Sequence, residues 1–254
     1  MISDYLWSEK TNGILLGNDK WIFYSLLIKG RCHETLQRLF TSCGGYRKAI
    51  SRINLSSIPE PDSKIAQEAK LLSTQSCSPE LYLHCLRTYY FAAMFAQLKN
   101  EKPDLEMLYI ASLMHDIGLT SNYQQQAAQH SFAVLGARAA YQLAEQHRYQ
   151  ESWCIALYEA ISKHLNPYLS SRRNNIESLC IQKGATLDVI GAYHFLLPKE
   201  QVSQLNSRLP RKGFQSHILD TITNIPHHSC SHAGVLSSCG FARLVQKNPL
   251  DKAT

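Results

Sequence analysis

The sequence has no apolar run long enough to cross a membrane. The longest such run near the start covers residues 21–28, whereas a spanning helix needs about 20 residues. The first residues also show no basic region followed by an apolar one, which is the pattern of a secretory signal. These absences predict a cytoplasmic protein that has no membrane partner.

Long runs of one charge and paired cysteine motifs are absent as well. The chain has 254 residues and a formal net charge of +6, but its basic residues are spread out and Arg172-Arg173 is only a pair. No nucleic-acid partner is therefore predicted. The eight cysteines form no C-x-x-C motif, so a structural zinc knuckle is not indicated. In an intracellular protein these cysteines are expected to be free thiols.

Alternation of apolar and polar residues with a period of two, which is typical of half-buried strands, is not sustained anywhere. Helical periodicity and capping residues recur instead, and a hydrophobic content of 44% indicates a globular core. The predicted fold class is all-α. We expect an N-terminal extension over residues 1–57 and a main domain over 58–254, with a proline-containing linker at 58–63.

One almost wholly apolar helix, predicted over residues 105–119, contains His115-Asp116 near its end. Asp104 is a suitable N-cap, and Gly118 marks the expected stop. The C-terminal end of a helix carries partial negative charge, which favours a cation. A charged aspartate is costly to bury without a partner. The pair is therefore either a capped pair in the core or part of a metal site.

Two more polar residues lie in apolar helices of the main domain. His84 follows the helix start at Ser78, and Asp188 has apolar residues on both sides. A single core histidine is usually a hydrogen-bonded structural residue. Together with His115 and Asp116, however, these residues suit one divalent ion such as zinc, manganese or iron. The ion would balance both carboxylates and make water nucleophilic near neutral pH.

This set of ligand types resembles that of the HD-domain superfamily. There, a histidine on one helix, a His-Asp pair ending a later helix and a distant aspartate form the ligand pattern. The surrounding sequence resembles the cyanamide hydratase-like branch of that superfamily. The resemblance runs in order through six blocks, at residues 58–69, 78–91, 113–120, 132–137, 159–164 and 184–191.

The resemblance implies a helical HD bundle that holds one zinc ion and hydrates a nitrile-type carbon. In that reaction a metal-activated hydroxide attacks the carbon of a small molecule such as cyanamide and gives urea. His164 matches the histidine of the family's Glu-Ala-Ile-x-x-His block and is predicted as the active-site acid or base. Thr120 and Asn122 are predicted to orient the substrate, with a turn-forming role as the alternative.

Several positions depart from the pattern of that branch. Ala133 stands where the family has an acid, and Cys85 and Leu165 stand where it often has serine or threonine. These positions leave the substrate open. An HD-type nucleotide phosphohydrolase is one alternative, although those enzymes often carry an acid at the position of Leu119.

Two other interpretations use residues outside the four ligands. A di-iron oxygenase of the HD type needs two further histidines between the pair and the distant aspartate, and His130, His147 and His164 satisfy that count. A degenerate scaffold that binds a partner is the non-enzymatic alternative.

The histidines and cysteines from His227 to Cys239 fit no standard zinc finger. The preferred prediction is a metal-dependent hydro-lyase or hydrolase with a small-molecule substrate. Its oligomeric state is left open, with a homodimer as one option.

Overall fold

The computed structural model describes residues 1–251 of the chain. Within this range it has thirteen α-helices and no strand, so the all-α prediction is confirmed. None of these helices combines the length and hydropathy that a membrane crossing requires. The helices are α1 (Tyr5–Thr11), α2 (Asp19–Ser42), α3 (Arg47–Ile50), α4 (Lys64–Ser76), α5 (Pro79–Lys99), α6 (Leu105–Met114), α7 (Phe132–Gln146), α8 (Glu151–Ser162), α9 (Ile176–Ile190), α10 (Lys199–Arg208), α11 (Phe214–Asn224), α12 (His232–Ser238) and α13 (Phe241–Gln246).

Helix α5 lies at the centre of the bundle and packs along α9 and α6. It begins as predicted: the Ser78 hydroxyl accepts from the Leu81 amide at 3.2 Å, and Pro79 is the first helical residue. Gly184 lies in α9 against α5, where a Cβ atom would come within 2.5 Å of the Thr88 carbonyl oxygen. This glycine serves close packing, and α9 continues through it to Ile190.

Helix α6 carries the His-Asp pair at its end. Its cap is confirmed, because Asp104 Oδ1 accepts from the amides of Glu106 at 3.0 Å and Met107 at 3.1 Å. The helix stops at Met114, earlier than predicted, so His115 is its C-cap residue and Asp116 precedes a 3₁₀ turn. The two side chains therefore leave the helix at an abrupt change of direction.

The other boundaries of the main domain follow local capping chemistry. Helix α4 begins after the capping residue Ser63, whose hydroxyl accepts from the Ala66 amide at 3.3 Å. Helix α7 begins at Phe132 and α8 ends at Ser162. Because α8 ends there, His164 lies in the turn that follows the helix and faces the interior.

The N-terminal extension is joined to the main domain by side-chain contacts. Glu9 of α1 accepts from the Tyr158 hydroxyl at 2.7 Å and from Arg138 Nε at 2.9 Å. The Ser162 hydroxyl donates to the Ser3 carbonyl at 2.7 Å. These contacts tie α1 to α7 and α8. The division of the chain at residue 57 stays a prediction.

Candidate metal centre

Three side chains converge at the end of α6. The Nε2 atom of His84 lies 3.1 Å from that of His115. Asp116 Oδ2 lies 3.3 Å from His84 Nε2 and 3.4 Å from His115 Nε2. Ligands of a tetrahedral ion with bonds of about 2.0–2.1 Å are separated by about 3.3 Å. The three atoms therefore have the spacing of one face of such a site, and all three residues are buried.

The hydrogen bonds at the far side of each imidazole set its tautomer. His84 Nδ1 donates to Asp188 Oδ2 at 2.7 Å, and His115 Nδ1 donates to the Ser112 carbonyl at 2.7 Å. In the neutral rings both Nε2 atoms then carry lone pairs. Two lone pairs that face each other at 3.1 Å repel unless a proton or a cation lies between them. The triad thus fits a divalent ion.

Asp188 lies behind the His84 ring and not among the three converging atoms. Its carboxylate accepts from Arg87 Nε and Nη2, each at 2.9 Å, as well as from His84. Arg211 forms a further ion pair with it. A carboxylate that holds the second nitrogen of a ligand histidine orients the ring and raises its basicity. In this arrangement Asp188 orients His84 and is not one of the three converging ligand atoms, and its role as a direct ligand stays a prediction.

Both carboxylates of the site stay ionised despite their burial. Burial alone would raise the pKa of Asp188, but Arg211 and Arg87 hold that pKa far below its usual range. Burial also opposes ionisation of Asp116, yet the neighbouring His115, His164 and His84 hold its pKa well below the ordinary value. Asp188 is already paired with Arg87 and Arg211, so Asp116 is the buried anion that a bound cation would compensate.

The two histidines of the triad respond differently to the same surroundings. Burial lowers the pKa of His115 to about 3, so this ring is neutral and ready to act as a ligand. Burial also disfavours the charged form of His84, but hydrogen bonds to Asp116 and Asp188 raise its pKa above the ordinary value. Without an ion, the raised pKa of His84 favours a proton on this ring, which places positive charge beside Asp116.

His164 joins the site from the turn after α8. Its Nε2 atom lies 3.5 Å from Asp116 Oδ1, and its Nδ1 atom donates to the Ile161 carbonyl at 2.7 Å. Its ring centroid is 4.9 Å from that of His115. The histidine predicted as acid or base is thus next to the triad, with one nitrogen directed towards it.

Thr120 and Asn122 do not reach the centre. The Thr120 hydroxyl donates to the Ile117 carbonyl at 2.7 Å, and Asn122 is exposed in the following turn. Neither residue lines the cavity that contains the triad. The Thr120 hydroxyl serves the turn between α6 and α7, so this placement favours the turn-forming alternative, and a role in orienting a substrate stays a prediction.

The triad opens onto a cavity of about 470 Å³. His84, His115, Asp116 and His164 lie at its buried end. Most of the remaining lining is apolar and comes from elements on either side of the triad. The apolar lining residues that lie within or next to the six sequence blocks include Leu119, Phe132, Leu165, Val189 and Ile190.

Several residues of the centre were not predicted from the sequence. Arg87 lies three positions after His84 on the same face of α5, so the helical spacing was a usable signal. Arg211 and Phe214 lie in the C-terminal region, after the last of the six sequence blocks. The Phe214 ring stacks on His84 with centroids 4.8 Å apart. No local sequence signal points to these last two residues.

The spare histidines lie away from the triad, apart from His164. His130 bonds the carbonyl of its own turn, and His147 Nε2 contacts Glu68 Oε2 at 2.7 Å on the surface. In the tail, His232 is buried against Phe23 and bonds the Ser3 hydroxyl. Across residues 1–251 a single group of three or more potential metal ligands is present, the triad itself.

Comparison with known proteins agrees with this geometry. Residues 81–188 match the HD domain family model. The chain is also 25% identical over 173 residues to two cyanamide hydratases of Saccharomyces cerevisiae, across 65% of this chain and 75% of each relative. The matched family segment begins just before His84 and ends at Asp188. These matches support an assignment to the HD-domain superfamily as a metal-dependent hydrolytic or hydratase enzyme, and the chain is similar to the cyanamide hydratases over the aligned segment.

Proposed function

We propose that the protein hydrates a nitrile-type carbon, with cyanamide as the simplest substrate and zinc as the ion. The observation that carries the proposal is the triangle of His84 Nε2, His115 Nε2 and Asp116 Oδ2, with edges of 3.1–3.4 Å. Three protein ligands and an open position are typical of catalytic zinc. The similarity to the two yeast cyanamide hydratases supports the same reaction class.

The bound ion would supply Lewis acidity and make water a nucleophile near neutral pH. The residues of the chain orient the ligands and transfer the proton. Asp188 and the Ser112 carbonyl fix the two ring orientations. His164 directs Nε2 towards the centre and is placed to pass a proton to the substrate nitrogen. Overall, the water oxygen bonds to the carbon, both hydrogens of the water end on nitrogen, and cyanamide becomes urea.

The alternative reactions have less support from the site. A phosphate ligand needs several convergent, unengaged basic groups. Arg87 is bound to Asp188 and Arg138 to Glu9, and among residues 1–251 Arg31 is the one lysine or arginine in the cavity lining. Leu119, at the position where many HD phosphohydrolases have an acid, is part of the apolar cavity wall. A di-iron centre would need further histidines beside the triad, and His130 and His147 do not lie there.

Metal analysis combined with a product assay tests the proposal. Protein loaded with zinc is expected to bind about one ion per chain and to form urea from cyanamide without releasing ammonia. Asp116→Ala is expected to lower metal affinity and urea formation by at least about 100-fold. Asp220→Ala, at an exposed aspartate of α11, is the matched control and should retain both. Turnover of nucleotides without hydration of cyanamide or any nitrile would contradict the proposal.

A further inference from the structure

The cavity is much larger than cyanamide. Cyanamide has three non-hydrogen atoms, and at the ~30 Å³ that one water molecule takes up in the liquid it would fill only about a fifth of the space. The cavity has a volume of about 470 Å³, which lies in the range of sites for drug-sized ligands, about 300–1,000 Å³. A molecule that fills the cavity therefore has a substantial body in addition to the reacting group.

The polar side chains of the cavity fall into a buried and a more exposed group. The triad and His164 have exposed fractions of 4% or less, and Asn166 and Tyr193 are buried as well. Arg31, Cys32, Ser237 and Cys239 are exposed, and Glu34 and Thr186 are half-buried. Apolar side chains make up most of the remaining lining. A ligand that reaches the triad therefore places the rest of its body against an apolar wall.

The wall comes largely from helices outside the matched HD segment. Helix α2 contributes Leu27, α11 contributes Ile218 and Ile222, and α12 and α13 contribute Leu236 and Phe241. Several of these side chains are only partly buried although they belong to apolar clusters. Their remaining exposed surface faces the cavity, where an apolar ligand would cover it.

We propose that the physiological substrate class is an organic nitrile with a hydrocarbon body, and that α2 and α11–α13 select for that body. The inference rests on the proposed hydration reaction. The water oxygen forms a C=O bond with the nitrile carbon, the two π bonds of C≡N and both O–H bonds of water break, and nitrogen receives both hydrogens, so R–C≡N and water give the carboxamide R–C(=O)NH2. At about 80% filling, the cavity accommodates about a dozen non-hydrogen atoms.

Two measurements on the full-length protein test this inference. Calorimetry with carboxamides of increasing chain length, from acetamide to phenylbutyramide, reports binding without any need for turnover. Each added CH2 group that is buried is expected to tighten Kd about threefold to fourfold. Kinetics on the matching nitriles with zinc-loaded protein should show kcat/KM rising along the same series, above the value for cyanamide.

Variants that fill the cavity give the sharper comparison. Leu236→Trp and Ile222→Trp each replace an aliphatic side chain of the wall with a larger indole ring, and neither residue belongs to the triad. We expect each to weaken phenylbutyramide binding at least tenfold and to lower kcat/KM for the matching nitrile by a larger factor than kcat/KM for cyanamide. Leu71→Trp, at a residue of α4 that is 54% exposed, introduces the same ring elsewhere and should change none of these values. Because two different wall positions are tested, the comparison still gives a result if one variant fails to fold.

The outcomes separate this inference from the proposed reaction. Cyanamide turnover with no gain in affinity or kcat/KM along the series would overturn the substrate class and leave the hydration reaction standing. Affinity that rises with chain length and falls in the wall variants, without hydration of any nitrile, would support the apolar ligand and overturn the reaction. Equal losses of phenylbutyramide binding in Leu71→Trp and Leu236→Trp would also count against the cavity wall.

Discussion

At the scale of single residues, the sequence identifies most of the polar residues of the centre but does not define the role of each. His84, His115, Asp116 and Asp188 could be found from the sequence because each is a polar residue within an apolar helix. Their roles could not be separated in the same way. Asp188 lies behind His84 because Arg87 and Arg211 bind its oxygens, and Arg211 is 23 residues away in the chain. Such a pairing has no local signature.

The buried ion cluster around Asp188 leads to a stability prediction for metal-free protein. Asp188→Asn removes the anion that faces two guanidinium groups, of which Arg87 is fully buried. An uncompensated buried charge costs about 3–5 kcal/mol. We expect the free energy of unfolding in urea at pH 7 to fall by about this amount. Asp220→Asn, on the surface of α11, should leave it unchanged.

The same cluster fixes the sign of the pH dependence. The pKa of Asp188 is held far below its usual range by Arg211 and Arg87 against the opposing effect of burial. Above about pH 4 the aspartate is ionised in both states, and its stabilisation is fully present. Below that pH the unfolded chain binds the extra proton. The gap between wild type and Asp188→Asn should then narrow by about 1.4 kcal/mol per pH unit. A gap that widens below pH 4 would contradict this.

At the scale of elements, the two helix starts predicted from the capping residues Ser78 and Asp104 are confirmed, whereas α6 ends earlier than predicted. The caps at Ser63, Ser78 and Asp104 depend on one side chain and the next few amides, so local sequence determines them. The end of α6 depends on packing instead. A Cβ atom at Gly136 would lie 2.7 Å from the Met114 carbonyl oxygen and 3.0 Å from that of His115. Helix α7 therefore lies directly against the turn that presents the His-Asp pair.

Gly136→Ala tests whether this close approach positions the ligands. Alanine is the better helix former by about 1 kcal/mol, but its methyl group would push against backbone oxygens that have little freedom to move. We expect a net destabilisation of about 1–2 kcal/mol and weaker zinc binding in a chelator competition. Gln142→Ala, on the exposed face of the same helix, is the control. A more stable variant with unchanged zinc affinity would show that α7 does not position His115.

At the scale of the whole molecule, the fold class followed from helical periodicity, but the cavity did not. Its walls bring together α2 and α11–α13 from opposite ends of the chain. Long-range packing of this kind leaves no spacing pattern in a single sequence. The extension also contributes buried contacts, such as Glu9 with Tyr158 and Ser3 with His232. These contacts favour one cooperative unit over two independent ones.

The three tryptophans allow a test of that cooperativity. Trp7 lies in α1 and bonds Asp19, whereas Trp153 lies in α8 and bonds Asp104. With Trp21→Phe as background, variants that keep only Trp7 or only Trp153 report on the extension and the bundle. We expect both fluorescence transitions in urea to coincide with the loss of helical circular dichroism. A Trp7 transition at clearly lower urea would show that the extension unfolds separately.

The position of the cavity wall has a consequence for how such enzymes diversify. The residues that hold the ion lie between positions 84 and 188, whereas the side chains around a substrate's body lie mostly before and after that interval. Mutation in the two flanking regions can change the accepted substrate while the chemistry stays intact.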